Sequence, residues 1–236
     1  DALPITAIGS NALNINTTGQ SNLAIGSNAL QNNSASENTA VGANALTTNT
    51  TGLRNTAVGF ASLAANTTSD NNTAIGYQAL NISTGSDNTA IGSFALVSNT
   101  SGSTNVAISR SALQNNTIGF GNTAIGYLTL GANIDGIWNT AIGTSALRQN
   151  TSGQSNTAIG KNALNANSTA THNTAIGADA MLANTIGVNN TAVGGGALSA
   201  NIDGFGNTAV GLVALRDMTN GSQNTAVGAD ALNDNQ

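Results

Sequence analysis

Apolar and polar positions recur along this chain with a 17-residue period. Most repeats open on Asn-Thr-Ala-Ile/Val-Gly, and the full consensus reads N-T-A-I/V-G-x-x-A-L-x-x-N-T-x-G-x-x. Units begin at positions 5, 22, 38, 55, 72, 88, 105, 122, 139, 156, 173, 190, 207 and 224, and those at 22 and 72 are one residue short. The first Ala is present in all fourteen units, from Ala7 to Ala226, and is followed by Ile or Val in every one, from Ile8 to Val227. Leu closes the A-L pair in thirteen, with Met181 as the exception, and Ser109 replaces the Gly once. The residue after that Gly varies freely: Ser10, Phe60, Tyr77, Lys161, Leu212.

A unit of this length is too short for two packed helices and shorter than a leucine-rich repeat. It predicts an all-β fold: a parallel β-solenoid or β-roll of about fourteen 17-residue coils. T-A-I/V reads as a strand, because β-branched residues suit a pleated surface. A-L reads as a second extended segment or a short helical turn. N-T-x-G reads as a turn, where Asn bonds its own backbone and Gly takes positive φ. No linker interrupts the pattern, so residues 1–236 read as a single repetitive domain.

Tolerance to substitution predicts which columns are inside. Ile/Val and Leu are expected to be buried, each side chain stabilising by roughly 1.5–3 kcal/mol. Strand alternation puts Thr on the Ile/Val face and Asn and Ala on the other, so Thr is expected to be buried as well. An invariant Ala on that other face then has two readings: close approach by another backbone, as in a parallel partner chain, or a coil so tight that only Ala fits. The Asn columns, Asn38 to Asn224 before the strand and Asn16 to Asn201 in the turn, are expected to stack as amide ladders that satisfy their own polar groups.

Composition narrows the chemistry. Charged residues make up 6% of the chain, five basic against ten acidic, and there is no Cys. Five scattered cations at net charge −5 leave no basic footprint for nucleic acid. No apolar run is long enough for membrane insertion by this segment. Disulfides and paired-cysteine zinc sites are excluded. Disorder usually goes with low hydrophobicity and high net charge, whereas 39% of this chain is hydrophobic.

Units such as Asn72-Thr73-Ala74-Ile75-Gly76 and Asn156-Thr157-Ala158-Ile159-Gly160 resemble the T-A-I-G motif of trimeric autotransporter adhesin heads. The longer unit resembles repeat arrays in bacteriophage tail fibres and bacterial surface proteins. The resemblance spans Ile5 to Asn235. It implies a left-handed parallel β-roll, three chains about one axis and an extracellular setting. It departs in unit length, since the adhesin-head unit is shorter.

No catalytic, metal or cofactor site is expected. His172 has no partner at catalytic or ligand spacing and reads as a solvated loop residue. Asp135 and Asp203 share the context Asn-Ile-Asp-Gly, but calcium takes six to eight oxygens, usually with several carboxylates, and a turn role is expected. The ten acids, among them Asp1, Glu37, Asp70 and Asp87, are spread out. That spread argues against a polysaccharide-acting β-helix enzyme. Tyr127, Trp138 and Tyr77 are the candidates for glycan contact, with Tyr127 and Trp138 as a local pair. Asn-x-Ser/Thr sequons, as at Asn66, Asn99 and Asn150, are expected from this composition alone.

The function these features predict is a non-enzymatic, extracellular, rod-like structural or adhesive segment of a cell-surface adhesin, phage tail fibre or filament. Its expected partners are two further copies in a homotrimer and a surface glycan or host receptor. Asp1 and Gln236 at the ends predict processing from something longer. The alternative is an ice-binding β-solenoid, disfavoured here because the Thr column is expected to be buried.

Overall fold

The computed structural model describes residues 4–234; Asp1, Asn235 and Gln236 lie outside them. Every unit forms one three-residue strand, and the remainder of each coil is turn. The chain divides into two compact units at Gly119/Phe120. The first contains β1 (Thr6–Ile8), β2 (Leu23–Ile25), β3 (Thr39–Val41), β4 (Thr56–Val58), β5 (Thr73–Ile75), β6 (Thr89–Ile91) and β7 (Val106–Ile108). The second contains β8 (Thr123–Ile125), β9 (Thr140–Ile142), β10 (Thr157–Ile159), β11 (Thr174–Ile176), β12 (Thr191–Val193), β13 (Thr208–Val210) and β14 (Thr225–Val227). Within each unit successive strands pair in parallel with like on like, as in Thr140↔Thr157, Ala141↔Ala158 and Ile142↔Ile159. The fold is a parallel β-solenoid.

Pairing continues well beyond the strands. In the coil of β9, Gly143, Ser145 and Ser155 donate backbone N–H bonds to the preceding coil at Ile125, Tyr127 and Ile137 (2.8–3.0 Å). Leu147, Gln149 and Thr151 donate to the following coil at Ala163, Asn165 and Ser168 (2.9–3.1 Å). Backbone groups in turns that would otherwise need water are thus satisfied by the neighbouring coil.

The A-L segment is neither a second strand nor a helical turn. Two i to i+3 bonds follow one another, Ala146 N to Gly143 O (3.2 Å) and Asn150 N to Leu147 O (3.2 Å). Between them Ser145 and Leu147 take left-handed φ of 59° and 50°, which no right-handed helix accommodates. The same conformation recurs at every A-L leucine from Leu13 to Leu232, and at Met181. A left-handed L-residue costs about 1–2 kcal/mol. Full burial of the Leu side chain, about 1.5–3 kcal/mol, offsets it. The strand-ending Gly takes φ of 125° at Gly143, where an added Cβ would lie 2.6 Å from the carbonyl oxygen of Gly160; close stacking of coils demands glycine there.

Between the end coils the interior holds five side chains per coil: the residue at the Asn position before the strand, the strand Ala, both residues of A-L, and the residue at the turn Asn position. In the β9 coil these are Asn139, Ala141, Ala146, Leu147 and Asn150, all fully buried. Where Ser62 and Thr129 replace the second Ala, they are equally buried. Their hydroxyls donate to the carbonyls of Gly59 (3.0 Å) and Gly143 (2.6 Å).

The Leu and Asn expectations hold, and the strand-face expectation is inverted. Ala, not Ile/Val, fills the core from every strand after β1: Ala24, Ala141 and Ala192 are 0% exposed, while Ile142 is 36% exposed. The reason is cross-section. A coil that turns back on itself within a single repeat, with Leu entering from the opposite side, leaves room only for a methyl group on the strand. Thr therefore faces outward with Ile/Val, half-buried rather than buried. The invariant Ala does not lie on an outer face, and a partner chain cannot pack against it.

Both Asn columns form ladders, linked to each other. Before the strand, the backbone N–H of Asn156 donates to Asn139 Oδ1 (3.1 Å), and Asn139 Nδ2 donates to Gly153 O (2.8 Å). In the turn, Asn167 Nδ2 donates to Asn150 Oδ1 (2.8 Å), and Asn150 Nδ2 donates to the same Gly153 O (3.1 Å). One turn carbonyl therefore serves both columns. The short coils lose their residue in this turn: Asn33 Nδ2 reaches Ala35 O two residues on, whereas Asn49 reaches Gly52 three residues on.

Candidate interaction face

The inversion creates the most regular surface of the molecule. Along each unit the strands present two outward columns, Thr and Ile/Val, separated by the inward Ala. In-register parallel strands repeat them at about 4.8 Å, and the two columns stand about 6.6 Å apart along the strand. Leu23 and Val106 replace Thr in the first unit, while the second carries Thr at all seven positions, Thr123 to Thr225. No strand position bears a charge.

Neighbouring coils cover much of this surface. Ile75, Ile91, Ile142 and Ile176 are 36–38% exposed, whereas Ile8 and Val227, in the first and last coils, reach 59% and 70%. β-branched side chains stacked coil on coil protect one another, as cross-strand pairs do in any sheet. The remainder is a continuous apolar column. The Thr hydroxyls beside it are uncommitted: among the described residues, those of Thr140, Thr157, Thr174, Thr191 and Thr208 bond no protein group. Turn hydroxyls behave differently, since Thr50, Thr84, Thr100 and Thr185 each donate to a carbonyl of the next coil (2.9–3.1 Å).

The candidate glycan residues are distributed otherwise than expected. Tyr77 is the middle of a three-ring stack, with Phe60 at 5.5 Å and nearly parallel, and Phe94 at 5.3 Å and edge-on. It nevertheless remains 47% exposed. Trp138 does not pair with Tyr127; it meets Phe120 edge-to-face at 5.6 Å. It also lies over Gly121, where an added Cβ would come 2.6 Å from Cδ1. Tyr127 occupies the corner after Gly126, 43% exposed, and Trp138 is 59% exposed. The two stand at opposite corners of the coil because they are at unit positions 6 and 17.

His172 is exposed in the turn, its backbone N–H bonded to Gln154 O (3.1 Å). Asp135 and Asp203 are exposed turn residues. Among the described residues no group of three or more His, Asp or Glu is placed to hold a metal ion, and no helix is long and apolar enough to cross a membrane. Asp217 is held below the usual carboxylate range by its hydrogen bonds from Arg216 (both 3.0 Å), with burial opposing.

Sequence reasoning missed the outward strip. Its signal is the strand Ala read as the one residue a tight coil admits: a position that never enlarges in fourteen units is more tightly confined than one that accepts both Ile and Val. No protein-family model and no curated protein matches this chain.

Proposed function

We propose that this chain is a non-enzymatic, extracellular structural or adhesive segment, rod-like in use, that works as a homotrimer through its Thr and Ile/Val strip. The observation that supports this is the strip itself, a charge-free apolar column repeated at every strand of each unit. Contiguous exposed apolar surface on a soluble chain marks an interaction site. A second copy running parallel has the same coil spacing, so every Ile/Val meets an equivalent residue along the whole contact. Each chain completes its own core, so association adds to a fold already formed. The surroundings would be those of an adhesin, a phage tail fibre or a similar filament. Receptor or glycan contact would fall to the variable turns, with Trp138 the most open ring.

Light scattering on the purified chain tests this. A trimer is expected, and Ile142→Asp with Ile176→Asp should yield folded monomer. A folded wild-type monomer at micromolar concentration would overturn the proposal.

One observation favours a second reading. Outward Thr with uncommitted hydroxyls, repeated in register from strand to strand, is the kind of surface an ice-binding solenoid presents, and in the second unit the Thr column is unbroken. Thermal hysteresis separates the readings: a trimer that buries its strips should show none, and a monomer with hysteresis lost in Thr157→Tyr would establish ice binding.

A further inference from the structure

The turn ladder places the acceptor asparagines of several N-x-S/T sequons inside the fold. Five of them, Asn49, Asn66, Asn99, Asn150 and Asn167, are 0% exposed. The sequons read Asn-Thr-Thr at 49 and 66, Asn-Thr-Ser at 99 and 150, and Asn-Ser-Thr at 167. Both hydrogens of each Nδ2 are committed. Asn49 donates to Asn33 Oδ1 (2.6 Å) and Gly52 O (2.9 Å). Asn66 donates to Asn49 Oδ1 and Ser69 O (2.8 and 3.0 Å). Asn99 donates to Ser83 Oγ and Gly102 O (3.0 and 2.9 Å), Asn150 to Asn133 Oδ1 and Gly153 O (2.9 and 3.1 Å), and Asn167 to Asn150 Oδ1 and Ala170 O (2.8 and 3.2 Å).

N-glycosylation acts on that same atom. Asn Nδ2 attacks the anomeric carbon of a lipid-linked oligosaccharide; a C–N bond forms, the lipid pyrophosphate leaves, and one Nδ2 proton is lost. The product is bulky and belongs on a surface. Here it would take one of two ladder donors and place a sugar where the interior admits a single amide. Transfer is therefore impossible on the folded chain. It is open on the unfolded chain, where all five sequons are accessible.

We propose that Asn49, Asn66, Asn99, Asn150 and Asn167 are cryptic acceptors whose N-glycosylation and folding exclude each other, so the chain folds only on a route where it escapes an N-glycosylating enzyme while unfolded. Sequons at Asn71, Asn115, Asn189 and Asn220 are of the other kind; these side chains are exposed and carry a glycan without entering the core. The inference is independent of the use made of the Thr and Ile/Val strip. It restricts how a chain of this fold reaches an extracellular site.

The test expresses the chain with a eukaryotic secretion signal and, separately, in a cytosol without glycosylation. A companion variant, Thr51→Ala, Thr68→Ala, Ser101→Ala, Ser152→Ala and Thr169→Ala, removes the five sequons at turn positions outside the core and keeps every ladder Asn. Cytosolic expression should yield both proteins folded. In the secretory route the wild type should be retained with glycans on ladder sites, and the variant should be secreted folded in several-fold higher yield. Folded, secreted wild type with a glycan on any of the five, found by site-resolved mass spectrometry, would overturn the proposal. Equal folded yields of the two proteins would overturn it too. Should the variant fail in the cytosol, wild type glycosylated while denatured decides: it is expected not to refold, and refolding with the glycans in place refutes the idea.

Discussion

The two compact units build the same coil with different regularity. Both shortened coils, 22–37 and 72–87, lie in the first, as do Leu23 and Val106 in the Thr column and Ser109 in the Gly column. The second keeps the full repeat length from Asn122 to Gln223 and an unbroken Thr column. Strand register is the same in both, as Thr73↔Thr89 across a short coil and Thr157↔Thr174 across a full one show. Length is therefore adjustable in the turn, and outward columns accept replacement. The inward strand Ala accepts none in either unit.

Ladder defects sharpen the contrast. Ser83 in the first unit and Met218 in the second stand where the turn column has Asn. In each case the preceding amide loses its donor: Asn66 Oδ1 and Asn201 Oδ1 are buried without a hydrogen bond, and Asn72 Nδ2, beside the short coil, is likewise unpaired. The carbonyl is orphaned, not the amide nitrogen of that column, because each Nδ2 also has a turn carbonyl within its own coil. Asn66 keeps Ser69 O, for instance.

The largest effect should come from the core. Leu147→Ala removes a fully buried side chain and should cost about 2–5 kcal/mol in chemical denaturation. Ala141→Leu overfills the coil and should cost about 1–3 kcal/mol or more. Loss of stability confined to the strip would invert the face assignment.

Next comes the ladder. Asn150→Ala removes the donor that Asn133 Oδ1 accepts from and the acceptor of one Asn167 Nδ2 hydrogen, whose other hydrogen stays on Ala170 O. At about 1–3 kcal/mol for each buried group left unsatisfied, it should rank close to the Leu147 change, as measured by thermal unfolding. Repair is the converse. Ser83→Asn offers Asn66 Oδ1 a donor and should stabilise the first unit by about 1 kcal/mol. Hydrogen exchange across residues 66–99 would report it, and unchanged protection would show that the defect is already compensated.

Smaller still is Ile142→Ala, with about 1 kcal/mol or less expected from lost cross-strand packing. Smallest is the Arg216–Asp217 pair. Its carboxylate is depressed, so whatever stability it adds is present above the ordinary carboxylate pKa and is lost as pH falls through the depressed value. Both side chains are 40% or more exposed and solvent screens them. Asp217→Asn should leave the acid limb of the stability profile unmoved.

Repetition alone determined a great deal: one coil per repeat, parallel register, the Leu core and both Asn ladders followed from residues that must stack on their own kind. The local period carries this information because each coil touches only its neighbours. Which way the strand faces was decided by the tertiary structure. Alternation assigns Ala and Ile/Val to opposite sides of the strand but says nothing about which side is inside. That choice depends on the width of the closed coil, set by left-handed turns at Ser145 and Leu147, the second in a column of Leu and one Met whose residue type does not announce that conformation. In so narrow a coil the smaller side chain goes in, and Thr and Ile/Val are left outside as the surface on which function must be built.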